Sequence, residues 1–160
     1  MIVGIDFDRV LFDTKSFKFH LEKRFPRYIE TYPADKQLYQ PSIHAKRMGI
    51  SVNQLMQEVK ASNQFLRSDV SVLDQLVSHN LVIVSRGDKR FQLTKIEYSG
   101  ITDVIDSIYI VQTESKSVAP IDILIDDRRD ELGRAGLPGL LFDSDIHDMQ
   151  SIVSFVDSFE

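Results

Sequence analysis

The sequence IVGIDFD at residues 2–8 joins a short apolar run to two carboxylates, Asp6 and Asp8, that are one residue apart. The run is rich in branched side chains and does not alternate with polar residues, which is typical of a strand covered on both faces. Ligands of open α/β sheets bind at the carboxyl edge of such strands. Because alternate residues of an extended strand point the same way, Asp6 and Asp8 could converge on one metal or substrate. Such a pair can also simply cap the following turn.

Four further apolar runs follow along the chain, at residues 81–84, 108–111, 121–125 and 139–142. Segments with helical periodicity separate them, for example over residues 70–77 and around Ile152, Val153 and Phe155. Strands that alternate with helices imply right-handed crossovers and a mainly parallel sheet. The sequence therefore predicts an α/β fold.

The segment over residues 15–68 contains no convincing strand and is too long for an ordinary strand-to-helix connection. Its later part, residues 51–65, has the pattern of an amphipathic helix capped by Ser51. We therefore predict a small helical cap over 15–68, inserted into a core formed by 1–14 and 69–160. A basic and aromatic group in this cap either recognises a nucleotide by stacking and charge or forms a solvated helix with its apolar side on the core. Its members are Lys15, Lys18, His20, Lys23, Arg24, Phe25, Arg27 and Tyr28.

The composition argues against several classes of protein. A formal net charge of -5 and a pI near 5.4 disfavour an extended nucleic-acid surface, which needs clustered cations. Because cysteine is absent, the chain cannot form a disulfide, a thiolate nucleophile or a Cys-ligated metal site. The first apolar run lacks the basic flank of a signal peptide, and no apolar stretch is long enough for a membrane span. We expect one sheet-based domain with a small insertion, located in the cytoplasm.

A second acidic strand end occurs in IDILIDDRR, residues 121–129, where Asp126 and Asp127 follow an apolar run. Like charges at the end of a buried strand are costly unless a cation compensates them, and Mg²⁺ prefers such oxygen ligands. Two acidic strand ends of one parallel sheet should meet at the same edge. In the alternative interpretation, Asp126 or Asp127 caps the helix that begins near Arg128.

Two further residues are placed to bind a phosphate. Ser85 ends the second run in LVIVSRGD, residues 81–88, and its hydroxyl could form an anion site with the backbone N–H groups of a helix starting at Asp88. Lys116 lies between the third and fourth runs and could offset the repulsion between a phosphoryl group and the carboxylates. From the sequence alone, three residues compete with Lys116 for this role: Lys89, Arg90 and Lys95.

In this order, DFDRV at residues 6–10, Ser85, Lys116 and the pair at 126–127 resemble the motifs of the haloacid dehalogenase (HAD) superfamily, most of whose members are phosphatases. The resemblance covers residues 2–127 and implies a Rossmann-like three-layer fold with a cap that closes over the substrate. The Lys116 to Asp126 spacing and IDDR at 125–128 resemble the 5'-nucleotidase and deoxyribonucleotidase branch. Arg9 stands where phosphatase members commonly have glycine, and it either reaches a substrate phosphate or lines the cap hinge.

The resemblance also implies a role for individual residues. Asp6 would be the nucleophile, and Asp8 would be the general acid/base with its backbone carbonyl on the metal. Lys116 would steady Asp6 and the phosphate, whose oxygens Ser85 and Arg86 would also bind. The Mg²⁺ cofactor would be held directly or through water by Asp6, Asp8, Asp126 and Asp127.

We therefore expect a Mg²⁺-dependent phosphohydrolase that cleaves a small phosphomonoester through an aspartyl phosphate on Asp6. Asp8 favours phosphatase over dehalogenase chemistry because a leaving alkoxide needs a proton. The expected ligand is a small phosphorylated metabolite, of which a nucleoside monophosphate is one candidate, with no membrane or extended nucleic-acid partner. The alternatives are a phosphomutase, a non-catalytic phospholigand-binding or regulatory protein with the same fold, and a phosphoacceptor receiver domain.

Overall fold

The computed structural model describes residues 1–34 and 39–159, which contain a five-stranded parallel sheet. All five predicted apolar runs form strands, although β4 begins only at Ile123, after Ile121 and Asp122. The α/β prediction is therefore confirmed. The strands are β1 (Ile2–Ile5), β2 (Asn80–Arg86), β3 (Ser107–Val111), β4 (Ile123–Asp126) and β5 (Gly139–Leu141).

The order of the strands is β3-β2-β1-β4-β5, and it excludes one of the alternatives. Strands β2 and β3 lie on one side of β1, and β4 and β5 lie on the other. All strands run in the same direction, but the order in which the chain adds them reverses between β1 and β4, which makes this a topological switch point. Receiver domains have the order 2-1-3-4-5 instead, so the receiver interpretation is wrong. Ligand crevices of open α/β sheets form at the carboxyl ends of the strands at such a switch point.

The segment predicted as a cap is helical and without a strand over 15–34 and 39–68, where it is described. Ser51 caps the last α-helix through a capping box with Gln54, as predicted. That helix ends earlier than expected and continues as a 3₁₀ helix, because the Ser62 hydroxyl donates to the Val59 carbonyl and competes with the α-helical ladder. Residues 35–38 of the predicted cap and residue 160 of the predicted core lie outside the described residues. The elements are α1 (Thr14–Arg24), α2 (Tyr28–Thr31), α3 (Pro41–Met48), α4 (Val52–Val59) and the 3₁₀ helix Lys60–Phe65.

Two groups of buried residues cover the two faces of the sheet, which gives three layers. Alternate strand residues separate them: Val3 and Ile83 belong to the first group, and Val82 and Leu124 to the second. Helices α5 (Lys89–Ser99) and α7 (Met149–Asp157) contribute to the first group, and α6 (Arg129–Ala135) contributes to the second. The cap residue Leu55 also belongs to the first group, so cap and sheet share one apolar core. The boundaries after residues 14 and 68 stay predictions.

The helical prediction over residues 70–77 needs a correction. The segment forms a 3₁₀ helix, Val70–Leu76, in which Leu73 and Leu76 are buried. With three residues per turn, positions 70, 73 and 76 share one face and Val77 leaves it, so Val77 is 89% exposed. In α7, by contrast, Ile152 is buried as its helical pattern predicted. No helix within the described ranges is long and apolar enough to cross a bilayer.

Gly139 and Gly133 provide a matched test of the packing around β5. A Cβ atom at Gly139 would lie 2.7 Å from Leu132 Cδ2 and 2.8 Å from the Leu124 carbonyl oxygen in β4. Because a backbone carbonyl within a sheet cannot move aside, we expect Gly139→Ala to lower the free energy of unfolding by about 1–3 kcal/mol. Around Gly133 in α6 nothing lies within 4 Å of a Cβ, so Gly133→Ala should raise it by about 0.5–1 kcal/mol. Urea unfolding measures both, and changes of the same sign would contradict this packing.

Candidate active site

Lys116 links the two acidic strand ends. Asp6 follows β1 and Asp126 ends β4, and the pairing of Ile5 with Ile125 places the two aspartates side by side. Lys116 Nζ lies 2.8 Å from Asp6 Oδ1 and 2.6 Å from Asp126 Oδ2. The three charged residues are at most 6% exposed. The ammonium thus compensates two buried carboxylates that would otherwise repel each other.

The carboxylates of this group have raised pKa values. Burial raises the pKa of Asp6 from 3.8 to about 7, an effect that Lys116 opposes and Asp126 reinforces. Burial also raises the pKa of Asp126 and of Asp127. For Lys116, burial alone would lower the pKa, but the carboxylates of Asp6 and Asp126 outweigh it and raise the pKa. Burial thus outweighs the attraction of Lys116 in the pKa of these carboxylates.

The same carboxylates can hold a divalent cation. Ligand oxygens of Asp6, Asp126 and Asp127 lie within 4.8 Å of one another. Hard oxygen ligands suit Mg²⁺, and a cation would stabilise the ionised form of carboxylates whose pKa burial has raised. These three residues therefore fit a magnesium site. The side chain of Asp8 does not belong to this group, so only its backbone carbonyl stays a predicted ligand.

Asp126 and Asp127 also have partners in the protein. Asp126 Oδ1 accepts a hydrogen bond of 2.9 Å from the Arg128 N–H, which closes a local turn. Arg128 is itself the N-cap residue of α6, so the interpretation of Asp126 as the helix cap is wrong. Asp127 Oδ2 lies 3.5 Å from Arg9 Nη1. Arg9 has a φ of 65°, a left-handed conformation that glycine adopts without strain. Glycine is the residue commonly found at this position in the phosphatases that the sequence resembles.

Asp8 is held by donors that differ from those of Asp6. Its Oδ1 lies 2.6 Å from Lys95 Nζ and accepts a hydrogen bond of 2.9 Å from Thr14 Oγ1, and its Oδ2 accepts one of 2.8 Å from Gln92 Nε2. Burial alone would raise the pKa of Asp8, but Lys95 and these hydrogen bonds lower it. The carboxylate of Asp8 thus faces α5 and lies outside the group of metal-ligand oxygens. Because Asp6 and Asp8 line one cavity, their convergence on one substrate stays a prediction.

Arg86 uses its guanidinium inside the protein. Its Nε and Nη2 donate to the Glu131 carboxylate at 2.7 and 2.8 Å, and its other N–H groups donate to the carbonyls of Gln112 and Glu114. A guanidinium has five N–H donors, so at most one is left for a ligand. The Arg86 side chain thus links the end of β2 to α6. Because Arg86 also lines the cavity that contains Ser85, its phosphate contact through the remaining donor stays a prediction.

A cavity of about 470 Å³ brings the predicted catalytic residues together. Asp6, Asp8, Ser85 and Lys116 line it, and the buried Ser85 hydroxyl accepts a hydrogen bond of 2.9 Å from Gln92 Nε2. The cap side of the cavity is largely aromatic, with one lysine. Its lining there includes Phe17, Lys18, Tyr28, Tyr32 and Tyr39.

Most of the basic and aromatic group in the cap serves packing or surface contacts. Arg24 pairs with Glu58 at 2.8 Å, and Phe25 packs against the apolar core. Lys18 and Tyr28 are the two members that line the cavity among the residues described. The nucleotide interpretation therefore depends on these two residues rather than on the whole group.

Sequence reasoning missed Thr14, Gln92 and Glu131 and considered Lys95 only as a competitor of Lys116. The sequence held one indication of the Asp8 donors: Gln92 and Lys95 are three residues apart, so a helix places both on one face. Glu131 offered no such signal, since its partner lies 45 residues away in β2. The other two competitors, Lys89 and Arg90, are exposed.

The Arg86–Glu131 pair should matter for stability. Both side chains are buried, so Glu131→Ala leaves an unpaired charge, and we expect it to lower the free energy of unfolding by about 3–5 kcal/mol. The neighbouring Asp130 pairs with Arg128 in a mostly exposed contact, so Asp130→Ala should cost less than about 1 kcal/mol. Urea unfolding compares the two variants, and equal losses would contradict the assignment.

Asp6 should destabilise the metal-free protein at neutral pH. Because its folded pKa is raised to about 7 from 3.8, the stability present below the unfolded pKa is lost as the pH rises through about 7. We expect Asp6→Asn to raise the Tm at pH 8, without divalent ions, by about 3 °C or more. The gain should be smaller at pH 5. Thermal unfolding at both pH values measures it, and a gain independent of pH would be inconsistent with the raised pKa.

No protein-family model and no curated protein matches this sequence, but solved structures do. A mutant of a HAD family enzyme from Bacteroides thetaiotaomicron, in complex with magnesium and inorganic phosphate, has a TM-score of 0.64 at 16% identity, over 95% of this chain and 98% of that one. L-2-haloacid dehalogenase from Xanthobacter autotrophicus has a TM-score of 0.64 at 15% identity, over 98% and 82%. A haloacid dehalogenase-like family hydrolase from Xanthomonas campestris has a TM-score of 0.60 at 13% identity, over 99% and 92%. The chain therefore has the haloacid dehalogenase fold.

Proposed function

We propose that the chain is a magnesium-dependent phosphohydrolase that cleaves a small phosphomonoester through an aspartyl phosphate on Asp6. The observation that carries the proposal is the setting of Asp6 at the end of β1. Its carboxylate lies 2.8 Å from the Lys116 ammonium and within 4.8 Å of two further carboxylate ligands, in the lining of a cavity of about 470 Å³. A nucleophile, a cation for the phosphoryl group and the ligands for a metal thus share one cavity.

In the first step, an oxygen of Asp6 attacks phosphorus, and the bond between phosphorus and the leaving oxygen breaks. Lys116 offsets the charge of the phosphoryl oxygens, and the Ser85 hydroxyl donates to one of them. Asp8, which is ionised before the substrate binds, takes the proton of the phosphomonoester monoanion and passes it to the leaving alkoxide. When bound to Asp6, Asp126 and Asp127, Mg²⁺ supplies further positive charge to the transferring group.

In the second step, water attacks phosphorus and the bond to Asp6 breaks, which releases inorganic phosphate. Asp8 takes the proton of this water and passes it to the departing phosphate, so that it ends ionised as it began. Its two oxygens accept hydrogen bonds from Lys95, Thr14 and Gln92. The two steps together consume one water molecule and return both aspartates to their starting state.

The acidic cluster supports phosphatase over dehalogenase chemistry. A halide leaves without a proton, whereas an alkoxide requires one. Asp8 therefore has a role in phosphatase chemistry but none in dehalogenase chemistry. Anionic phosphoryl oxygens next to Asp6, Asp126 and Asp127 also need a cation, and the raised pKa values of these residues are consistent with such a need. The metal-binding group would have no evident use in halide displacement.

A nucleoside monophosphate is one candidate substrate, as in the nucleotidase branch that the sequence resembles. Tyr28, Tyr32 and Tyr39 line the cap side of the cavity, and Lys18 Nζ lies 4.5 Å from the centre of the Tyr32 ring. Aromatic rings with a nearby cation can accommodate a planar base. Rates of hydrolysis on a panel of phosphomonoesters would show whether nucleoside monophosphates are better substrates than sugar phosphates.

Phosphate release from nucleoside monophosphates, sugar phosphates and an aryl phosphate tests the proposal. The wild type should turn over at least one class only with Mg²⁺, and Asp6→Asn should lower kcat at least about 10³-fold. Asp127→Asn should raise the Mg²⁺ concentration needed for half-maximal activity, because it removes a ligand. The matched control is Asp130→Asn, which removes an exposed carboxylate from α6 and should leave activity unchanged.

Magnesium binding can be measured without turnover. Mg²⁺ should raise the Tm of the wild type, and less so that of Asp127→Asn, because a ligand that binds only the folded state stabilises it. A folded wild type that binds phosphate or a nucleotide but turns over no member of the panel would contradict the proposal and favour the non-catalytic phospholigand-binding alternative.

A further inference from the structure

Lys95 forms a buried contact for which the proposed reaction has so far no use. The residue belongs to α5 and is 4% exposed, and its Nζ lies 2.6 Å from Asp8 Oδ1. Within residues 1–34 and 39–159, Asp8 is the carboxylate that forms an ion pair with Lys95. Lys116, by contrast, pairs with Asp6 and Asp126. The two aspartates after β1 thus have separate cations.

Aromatic rings surround the Lys95 ammonium. Its Nζ lies 5.4–5.9 Å from the centres of four phenylalanine rings, which come from the segment after β1, from α1 and from α5. Such rings attract a cation but do not replace the hydrogen bonds of water. A buried ammonium in this setting depends on its carboxylate partner, and the rings leave it little freedom to turn away. The four rings are those of Phe7, Phe12, Phe17 and Phe91.

Gln92 adds a second constraint on Asp8. Its Nε2 donates to Asp8 Oδ2 at 2.8 Å, to Ser85 Oγ at 2.9 Å and to the Arg86 carbonyl at 3.0 Å. Its Oε1 is buried and has no hydrogen-bond partner in the part of the chain that the structure describes. The reverse orientation of the amide would place this oxygen against a carboxylate and a carbonyl. The amide therefore leaves one acceptor unpaired in order to donate to Asp8.

Thr14 completes the set of donors. Its Oγ1 accepts a hydrogen bond of 3.1 Å from the Arg9 N–H and donates one of 2.9 Å to Asp8 Oδ1. Three side chains from two helices thus fix both oxygens of Asp8. A carboxylate with less support would be free to rotate about its side-chain torsions.

We propose that Lys95, assisted by Gln92 and Thr14, is a positioning residue that holds the Asp8 carboxylate in one orientation for proton transfer. The inference rests on the proposed function insofar as it gives Asp8 a catalytic role. A displacement of about 1 Å of a reacting group can cost about 10²-fold in rate. Loss of Lys95 should therefore lower kcat only when Asp8 is present. Loss of a lysine that bound the substrate directly would raise KM instead, whether or not Asp8 is present.

A double-mutant cycle with Lys95→Met and Asp8→Asn separates these roles. With Mg²⁺ and an aryl phosphate, whose leaving group needs little help from an acid, Asp8→Asn should keep measurable turnover. We expect Lys95→Met alone to lower kcat about 10- to 100-fold with little change in KM. In the Asp8→Asn background, the same change should alter kcat by less than about twofold. The control Lys89→Met removes an exposed lysine from α5 and should leave kcat unchanged.

Thermal unfolding of the same four proteins gives a readout that needs no turnover. Lys95→Met should lower the Tm when Asp8 is present, because a buried carboxylate loses its cation, and should not lower it in the Asp8→Asn background. If the wild type hydrolyses no phosphomonoester, the proposed function fails, and this stability cycle alone decides whether Lys95 holds Asp8. Additive changes in Tm would overturn the inference, as would an equal loss of kcat in both backgrounds or a loss expressed in KM.

Discussion

The buried ammonium of Lys116 is the charge on which the arrangement of the site depends. Parallel pairing of β1 with β4 brings Asp6 and Asp126 together at a switch point of the sheet, where Asp126 is fully buried and Asp6 is 6% exposed. Lys116 contacts both, at 2.8 and 2.6 Å. Burial raises the pKa of these two carboxylates and of Asp127, because the single ammonium of Lys116 offsets the loss of water only in part. The fold thus places three carboxylates and one ammonium at the edge of the sheet where ligands of such folds bind.

Separate cations give the two aspartates after β1 different properties. Asp6 shares Lys116 with another carboxylate, and burial raises its pKa to about 7. Asp8 has Lys95 to itself and accepts two further hydrogen bonds, so its pKa is lowered despite burial. Pairs of carboxylates whose environments push their pKa values apart are typical of sites that assign them different chemical roles. The lowered pKa of Asp8 agrees with its proposed role as the base in the second step, whereas Asp6 needs a bound cation to be fully ionised as a nucleophile at neutral pH.

The fold was largely predictable from the sequence because strands buried on both faces leave a clear apolar signature. The meeting of Asp6 with Asp126 was predictable for a related reason, since carboxyl ends of parallel strands share one edge. The donors to Asp8 were not, because helix α5 could have turned either face to the site, and three cations within it competed for one role. The pairing of Arg86 with Glu131 was not predictable either, because Glu131 is remote in sequence and only the fold brings it near the end of β2.

The central claim is that Asp6 becomes covalently phosphorylated during turnover. Its most direct test is acid quenching of the enzyme during steady-state hydrolysis of an aryl phosphate with Mg²⁺, followed by borohydride reduction and peptide mass spectrometry. The account predicts that an acyl phosphate reduced to homoserine is found at Asp6 and is absent without substrate. Turnover with no modified Asp6, or with the modification at another carboxylate, would contradict it.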